Sequence, residues 1–223
     1  MSLYLSRLRL RRDPAVAALA ALIDPADEDS AMDAHHRLIW SAFAGDAAAT
    51  RDFLWRAEGQ GRFTVLSPRP PTEAGLFEPP EVKPFAPDLR AGDRLSFLLR
   101  VNATRTLRPS GSRVDVVMER LHGVGRDERA DRRMALAQEA ARDWMERIGA
   151  RDGFAPDTLD VQDYSVRTLP PGRGSAGRRP RFGVLELTGV LEVTAPEPFL
   201  ARVAAGFGRA RAFGCGLMLL RRA

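Results

Sequence analysis

The sequence predicts an α+β protein made of two tandem ferredoxin-like (RRM-like) domains, antiparallel sheets backed by helices, with a glycine-rich loop near the C-terminus. Three observations carry this expectation. Each half of the chain reads strand, helix, strand, strand, a place for a second helix, then strand. The strand segments alternate apolar and polar residues, whereas the helical ones repeat at helical spacing. Pro84, Pro87 and Gly92 break the chain between the halves, which places an N-terminal domain at 1–90 and a C-terminal domain at 91–223.

In the first half, Tyr4 to Leu10 alternates and reads as a strand. The alanine-rich, acidic stretch from Asp13 to Ser30 reads as a loop with helical character. From Ala34 to Phe43 the spacing predicts a helix, with Leu38, Ile39, Ala42 and Phe43 on one face and Trp40 beside it. Phe53 to Arg56 and Phe63 to Leu66 are short strands around the turn at Gly59 to Gly61. Prolines from Pro68 to Pro71 and at Pro79-Pro80 break the chain before a last strand at Val82 to Phe85.

The second half opens with a strand, Leu95 to Val101, whose Leu95, Phe97, Leu99 and Val101 share a face. An arginine-studded turn comes next, then a strand at Val114 to Met118. Arg129 to Ile148 is the strongest helix, with Met134, Ala137, Ala141, Trp144 or Met145, and Ile148 inward. Strands are predicted at Thr158 to Arg167 and Val184 to Val193. Thr194 and Glu197 form a capping-box pattern that starts a short helix through Val203. A final strand lies after Gly216.

Composition limits the function classes. The chain has 223 residues, with 34 basic and 29 acidic side chains, a net charge of +5 and a pI of about 10.4. Lys83 is the single lysine, so the excess is arginine, and its placement decides whether it is functional. With Cys215 as the single cysteine, disulfides and cysteine-based metal clusters are excluded, and a reducing cytoplasm fits. Met1 to Leu10 alternates leucine with arginine and lacks an apolar core of signal-peptide length. No apolar run is long enough to span a membrane.

Three features can carry chemistry. Of the histidines His35, His36 and His122, the adjacent pair points about 100° apart on a helix and cannot share a metal as an i, i+4 pair can. No metal or other cofactor is expected. A histidine acting as a proton-transfer group remains, and periodicity alone does not choose between His35 and His36. Two arginine loops lack acidic residues: Arg100, Arg105, Arg108 and Arg113 in one, Arg167, Arg173, Arg178, Arg179 and Arg181 in the other, which points to phosphate-backbone contacts. The third feature is the stretch Gly206-Phe207-Gly208 to Gly214-Cys215-Gly216, with Arg209, Arg211 and Phe213 between its glycine pairs. Its place after a helix and before a strand excludes a dinucleotide or P-loop fold. It reads either as a helix C-cap with a turn or as a loop that approaches a phosphate-bearing ligand.

Together these pieces resemble the CasE-type CRISPR endoribonucleases, the repeat-processing subunits of the type I-E Cascade complex within the RAMP superfamily. The resemblance lies in Tyr4-Leu5-Ser6-Arg7-Leu8, His36-Arg37-Leu38-Ile39-Trp40 with Phe43, Arg51-Asp52-Phe53-Leu54-Trp55-Arg56, Gly92 to Arg100 with Asn102, and the closing Gly206-Phe207-Gly208 with Ala212 to Leu217. It implies metal-independent cleavage of CRISPR repeat RNA at the base of a hairpin. The 2′-hydroxyl attacks, leaving a 2′,3′-cyclic phosphate, and the guide RNA stays with the other Cascade subunits. The family's catalytic histidine stands four residues before the tryptophan, which selects His36. Where some members carry a tyrosine three residues before that histidine, this chain has Asp33. That leaves Asp33, as an orienting carboxylate, or His35 as the second participant. The resemblance further implies a basic element against the RNA stem, whose counterpart is the loop with Arg173, Arg178, Arg179 and Arg181, and a loop built on Gly206, Gly208, Gly214 and Gly216; the acid-free Arg100, Arg105 and Arg113, and Arg209 and Arg211 between the glycines, are further candidates for RNA contact. The alternative on the same fold is a non-catalytic RNA-binding subunit.

Overall fold

The computed structural model describes residues 2–44, 50–73, 75–107, 109–169 and 179–223. It separates into two compact units, one of Met1–Pro87 with Thr168–Arg181 and Arg211–Gly214, the other of Asp88–Arg167, Phe182–Ala210 and Cys215–Ala223.

In the first unit the order is β1 (Tyr4–Arg9), the single turns α1 (Pro14–Ala17) and α2 (Ala20–Ile23), α3 (Glu28–Ser41), β2 (Leu54–Gly59), β3 (Arg62–Ser67) and β4 (Glu81–Pro84). The strands line up β2-β3-β1-β4, every pair antiparallel, with Leu8 opposite Phe63 in the central pair. This is the strand order of a split βαβ unit. The proline-rich connection from β3 to β4 carries no helix among its described residues, because proline removes donors and blocks helical backbone there. Helix α3 begins well before the apolar periodicity does. Asp27 accepts a hydrogen bond from the Ser30 amide at 2.8 Å, and the acidic Glu28 and Asp29 suit the positive end of the helix. Its inner face closes the core over the sheet, where Leu38, Ile39, Ala42 and Phe43 meet Phe53, Trp55, Phe63 and Val65.

The second unit runs β5 (Arg94–Val101), β6 (Thr104–Thr106), β7 (Arg113–Asp115), α4 (Val116–His122), α5 (Arg129–Asp152), β8 (Phe154–Thr168), β9 (Arg181–Val193), α6 (Pro196–Ala205) and β10 (Met218–Arg222). Its four-stranded sheet has the order β10-β5-β9-β8, again the split βαβ arrangement, and β6-β7 form a separate ribbon. Leu95, Phe97, Leu99 and Val101 of β5 are buried, as the alternation predicts. Three local expectations are corrected. The strand expected at Val114 to Met118 ends at Asp115, because the Asp115 carboxylate accepts from the Val117 and Met118 amides at 3.0 Å each and starts α4. Helix α6 starts from Ala195 with no side-chain cap, Pro196 supplying the first-turn conformation, so the Thr194/Glu197 capping box is not formed. Met134, expected in the core, is exposed, while Leu136 and Ala140 join Ala137, Ala141, Trp144 and Met145 inside.

Helices α5 and α6 are joined by a buried charge. Asp152, 7% exposed, accepts from Arg202 Nε at 2.6 Å and from Arg151 at 2.8 Å. The Arg151 hydrogen bond, then that from Arg202, holds its carboxyl below the usual carboxylate range. A depressed carboxyl pKa means that this contribution to stability is present above the unfolded-state value near 3.8 and is lost as pH falls through the lowered one. Asp152→Ala is expected to destabilise the protein by about 1–3 kcal/mol at neutral pH, since Arg202 is partly solvated, and by much less near pH 2–3. Urea melts at the two pH values check this; an equal loss at both would rule out the charge as the cause.

Candidate active site

The turn-by-turn geometry of α3 separates the two adjacent histidines. His35 faces inward. Its Nε2 donates to Asp24 Oδ1 at 2.7 Å, and its ring stands edge-on to Phe63 and Trp55 with centroids 4.9 and 6.2 Å away. That residue is 8% exposed and ties α2 to the core. His36 faces the other way, between the rings of Trp40 at 6.5 Å and Phe213 at 6.1 Å. Its Nε2 is buried and has no hydrogen-bond partner among the described residues.

Phe213 closes the short 3-10 turn Arg211–Phe213, which belongs to the same unit as α3. Two contacts seat that turn. Trp55 Nε1 donates to the Ala212 carbonyl at 3.3 Å, and Gly214, at φ +75°, lies against the Trp55 ring, where an added Cβ would sit 3.0 Å from the indole. The flanking glycines belong to the second unit. Gly206 ends α6, its amide bonding to the Arg202 carbonyl at 2.9 Å. Gly208, at φ +62°, approaches β5 so closely that a Cβ would lie 2.4 Å from the Asn102 carbonyl oxygen. Phe207 and Gly216 are joined by a backbone bond, and the Gly216 amide bonds the Arg100 carbonyl. The helix-cap reading holds at Gly206, and the 3-10 turn that follows brings the Phe213 ring against His36.

The electrostatics around His36 are cationic. Burial first, then the charge of Arg51 and that of Arg37, push its pKa below 6.5, with Asp33 opposing. Asp33 forms an i, i+4 ion pair with Arg37 at 3.1 Å. Arg51 is half-buried; its Nη1 donates to the Phe53 carbonyl at 2.7 Å, and burial together with Arg211 lowers its own pKa. Arg51 was missed as a site residue in the sequence, where it stands far from His36 in a motif that otherwise reads as the entry to β2. Among the described residues no three His, Cys, Asp or Glu side chains converge as a metal site.

The other arginines scatter. Arg100 pairs with Glu186, and Arg105 grips Glu119 through two nitrogens. Their loops are acid-free in sequence, but folding brings carboxylates to them from β9 and α4. Arg113, Arg179, Arg181 and Arg209 are exposed, and the Arg209 amide bonds Asn102. Arg173 and Arg178 lie outside the described residues, as does Arg108.

The sequence profile of the CRISPR associated protein family matches residues 3–222. The chain belongs to that family. It is 32% identical over 154 residues to the CRISPR-associated endoribonuclease Cse3 of Thermus thermophilus, covering 65% of this chain and 62% of that protein, less than two thirds of its length. To the Cascade subunit CasE of Escherichia coli it is 27% identical over 191 residues, 83% of this chain and 89% of that one. Among solved structures, Cse3 bound to a 19-nucleotide RNA superposes with a TM-score of 0.69 at 22% identity, over 99% of this chain and 98% of that one. Cas6e of E. coli gives 0.63 at 18% identity, over 99% of this chain and all of that one. At these identities the two structures bear on the fold, and both agree with a pair of four-stranded antiparallel sheets carrying helices. No helix among the described residues is long and apolar enough to cross a membrane.

Proposed function

We propose that the protein is a metal-independent endoribonuclease that cuts CRISPR precursor RNA at the base of the repeat hairpin and keeps the guide RNA within a Cascade complex. The observation that carries this reading is His36, whose Nε2 has no hydrogen-bond partner among the described residues and whose ring lies beside Phe213, in a chain of this family. The base role uses the ring in its neutral form with Nε2 unprotonated, the charge state that burial and the Arg51 charge favour. His36 takes the proton of the 2′-hydroxyl as that oxygen bonds to phosphorus. The bond from phosphorus to the 5′-oxygen then breaks, leaving a 2′,3′-cyclic phosphate and a 5′-hydroxyl that takes its proton from solvent. Positioning the attacking oxygen supplies much of the acceleration. Asp33, held by Arg37, acts on His36 through its charge. In this reading the exposed Arg113, Arg179, Arg181 and Arg209 meet RNA phosphates, since a duplex is read mainly by shape and backbone.

Incubating the protein with its own repeat hairpin in EDTA tests the reading. Cleavage by wild type is expected; tight binding without cleavage would favour the non-catalytic RNA-binding subunit instead. The lowered pKa of His36 sets the pH dependence. If the neutral ring is the base, kcat/KM rises with pH through a midpoint below 6.5 and then levels. A profile that falls across this range would make His36 the acid.

A further inference from the structure

The Arg51 guanidinium lies over Phe53, whose ring packs at 5.5 Å on Trp40, the ring that flanks His36 at 6.5 Å, and its charge acts on His36. Asp33 is paired with Arg37 at 3.1 Å, and Asp52 with Arg69 at 3.1 Å. Asp52 acts on Arg51 through its charge, but its ion pair is with Arg69, while Arg51 bonds the Phe53 carbonyl. A half-buried guanidinium whose nearest acting carboxylate, Asp52, is shared with Arg69 is stabilised when an anion sits against it. Arg51 is also pre-aimed: one nitrogen is fixed on the Phe53 carbonyl and its guanidinium lies 6.0 Å from the Phe53 ring centroid. The guanidinium fork matches phosphate oxygens with two parallel hydrogen bonds.

We propose that Arg51 is a phosphate-binding catalytic residue, whose guanidinium holds the non-bridging oxygens of the phosphate being cleaved beside His36. As the 2′-oxygen attacks, negative charge grows on those oxygens, and donors already in place stabilise it without reorganisation. This inference rests on the ribonuclease reading above. It adds an assignment that neither the arginine loops nor the glycine stretch contained.

The test has two arms. In the first, Arg51→Gln and Arg51→Lys are assayed on the hairpin beside wild type. Arg51→Gln is expected to lower kcat about 10²–10³-fold, as loss of one preorganised donor does, with a smaller change in KM and partial recovery in Arg51→Lys. A folded Arg51→Gln that cleaves at the wild-type rate would overturn the proposal. In the second, the His36 ring is titrated by NMR without RNA, with and without inorganic phosphate. Three charged groups face the ring from α3 and the approach to β2: Asp33, Arg37 and Arg51. Phosphate is expected to raise the His36 pKa in wild type and to raise it less in Arg51→Gln; no response in wild type counts against an anion seat. Should Arg51→Gln fail to fold, Arg51→Lys carries both arms, with a smaller loss of kcat and a weaker response to phosphate; wild-type values for both would overturn the proposal. If wild type leaves the hairpin intact, the ribonuclease reading fails, while the phosphate arm still reads the anion seat directly.

Discussion

Replacing His36 with alanine is expected to slow cleavage of the repeat hairpin about 10²–10⁴-fold, the range for losing a proton-transfer group. The residue is partly exposed and Nε2 makes no bond among the described residues, so little of the fold depends on it. Hairpin affinity and melting temperature are therefore expected to stay near wild type, with the loss falling on kcat. His35→Ala gives the opposite pattern. It removes a buried ring bonded to Asp24 and packed edge-on against Phe63, so it lowers the melting temperature, whereas the folded fraction keeps cleaving. Single-turnover rates and melts on both variants check the pair. Cleavage that survives His36→Ala at wild-type rate would remove the catalytic assignment.

Trp55→Ala is expected to cost about 3–5 kcal/mol, as large-to-small aromatic truncations in cores do. Trp55 is 1% exposed in β2 and meets Phe63, His35 and Gly214. The same side chain tethers Ala212, so its loss frees the turn that places Phe213 beside His36. Trp55→Phe separates the two effects. It keeps most of the volume and drops the hydrogen bond, worth about 0.5–1.5 kcal/mol. It is expected to leave most of the stability and to reduce kcat more than the stability loss would suggest. Full activity in a stable Trp55→Phe would show that the tether is not needed to hold the site.

Strand and helix patterns were legible because they depend on short-range periodicity. The alternation of Leu95, Phe97, Leu99 and Val101 appears unchanged in β5, and the Ala137, Ala141, Trp144 spacing in α5. Where the pattern misled, a single side chain redirected the backbone. Asp115 caps α4 inside an apolar run that looks like a strand, and Asp27 starts α3 within a stretch with no apolar face of its own. Periodicity does not register such caps, whose effect is one or two hydrogen bonds at a particular residue.

The candidate site was legible only in part. Helical spacing put His35 and His36 on different faces, and the family resemblance selected His36, but only packing explains the division of labour: Asp24 and the Phe63 ring claim His35 for the core. The arginine loops show the limit most clearly. Absence of nearby acid in the sequence says nothing about acid nearby in space, and Arg100 and Arg105 are met by Glu186 and Glu119 from other elements. By itself the sequence determined the two split βαβ units, the absence of a cysteine metal cluster and the family. Tertiary structure alone decided that Arg51, from the approach to β2, and Phe213, from the glycine stretch, would share the neighbourhood of His36. Charge and hydrogen-bond geometry act over a few ångströms, and which residues come that close is set by how the elements pack, not by their order in the chain.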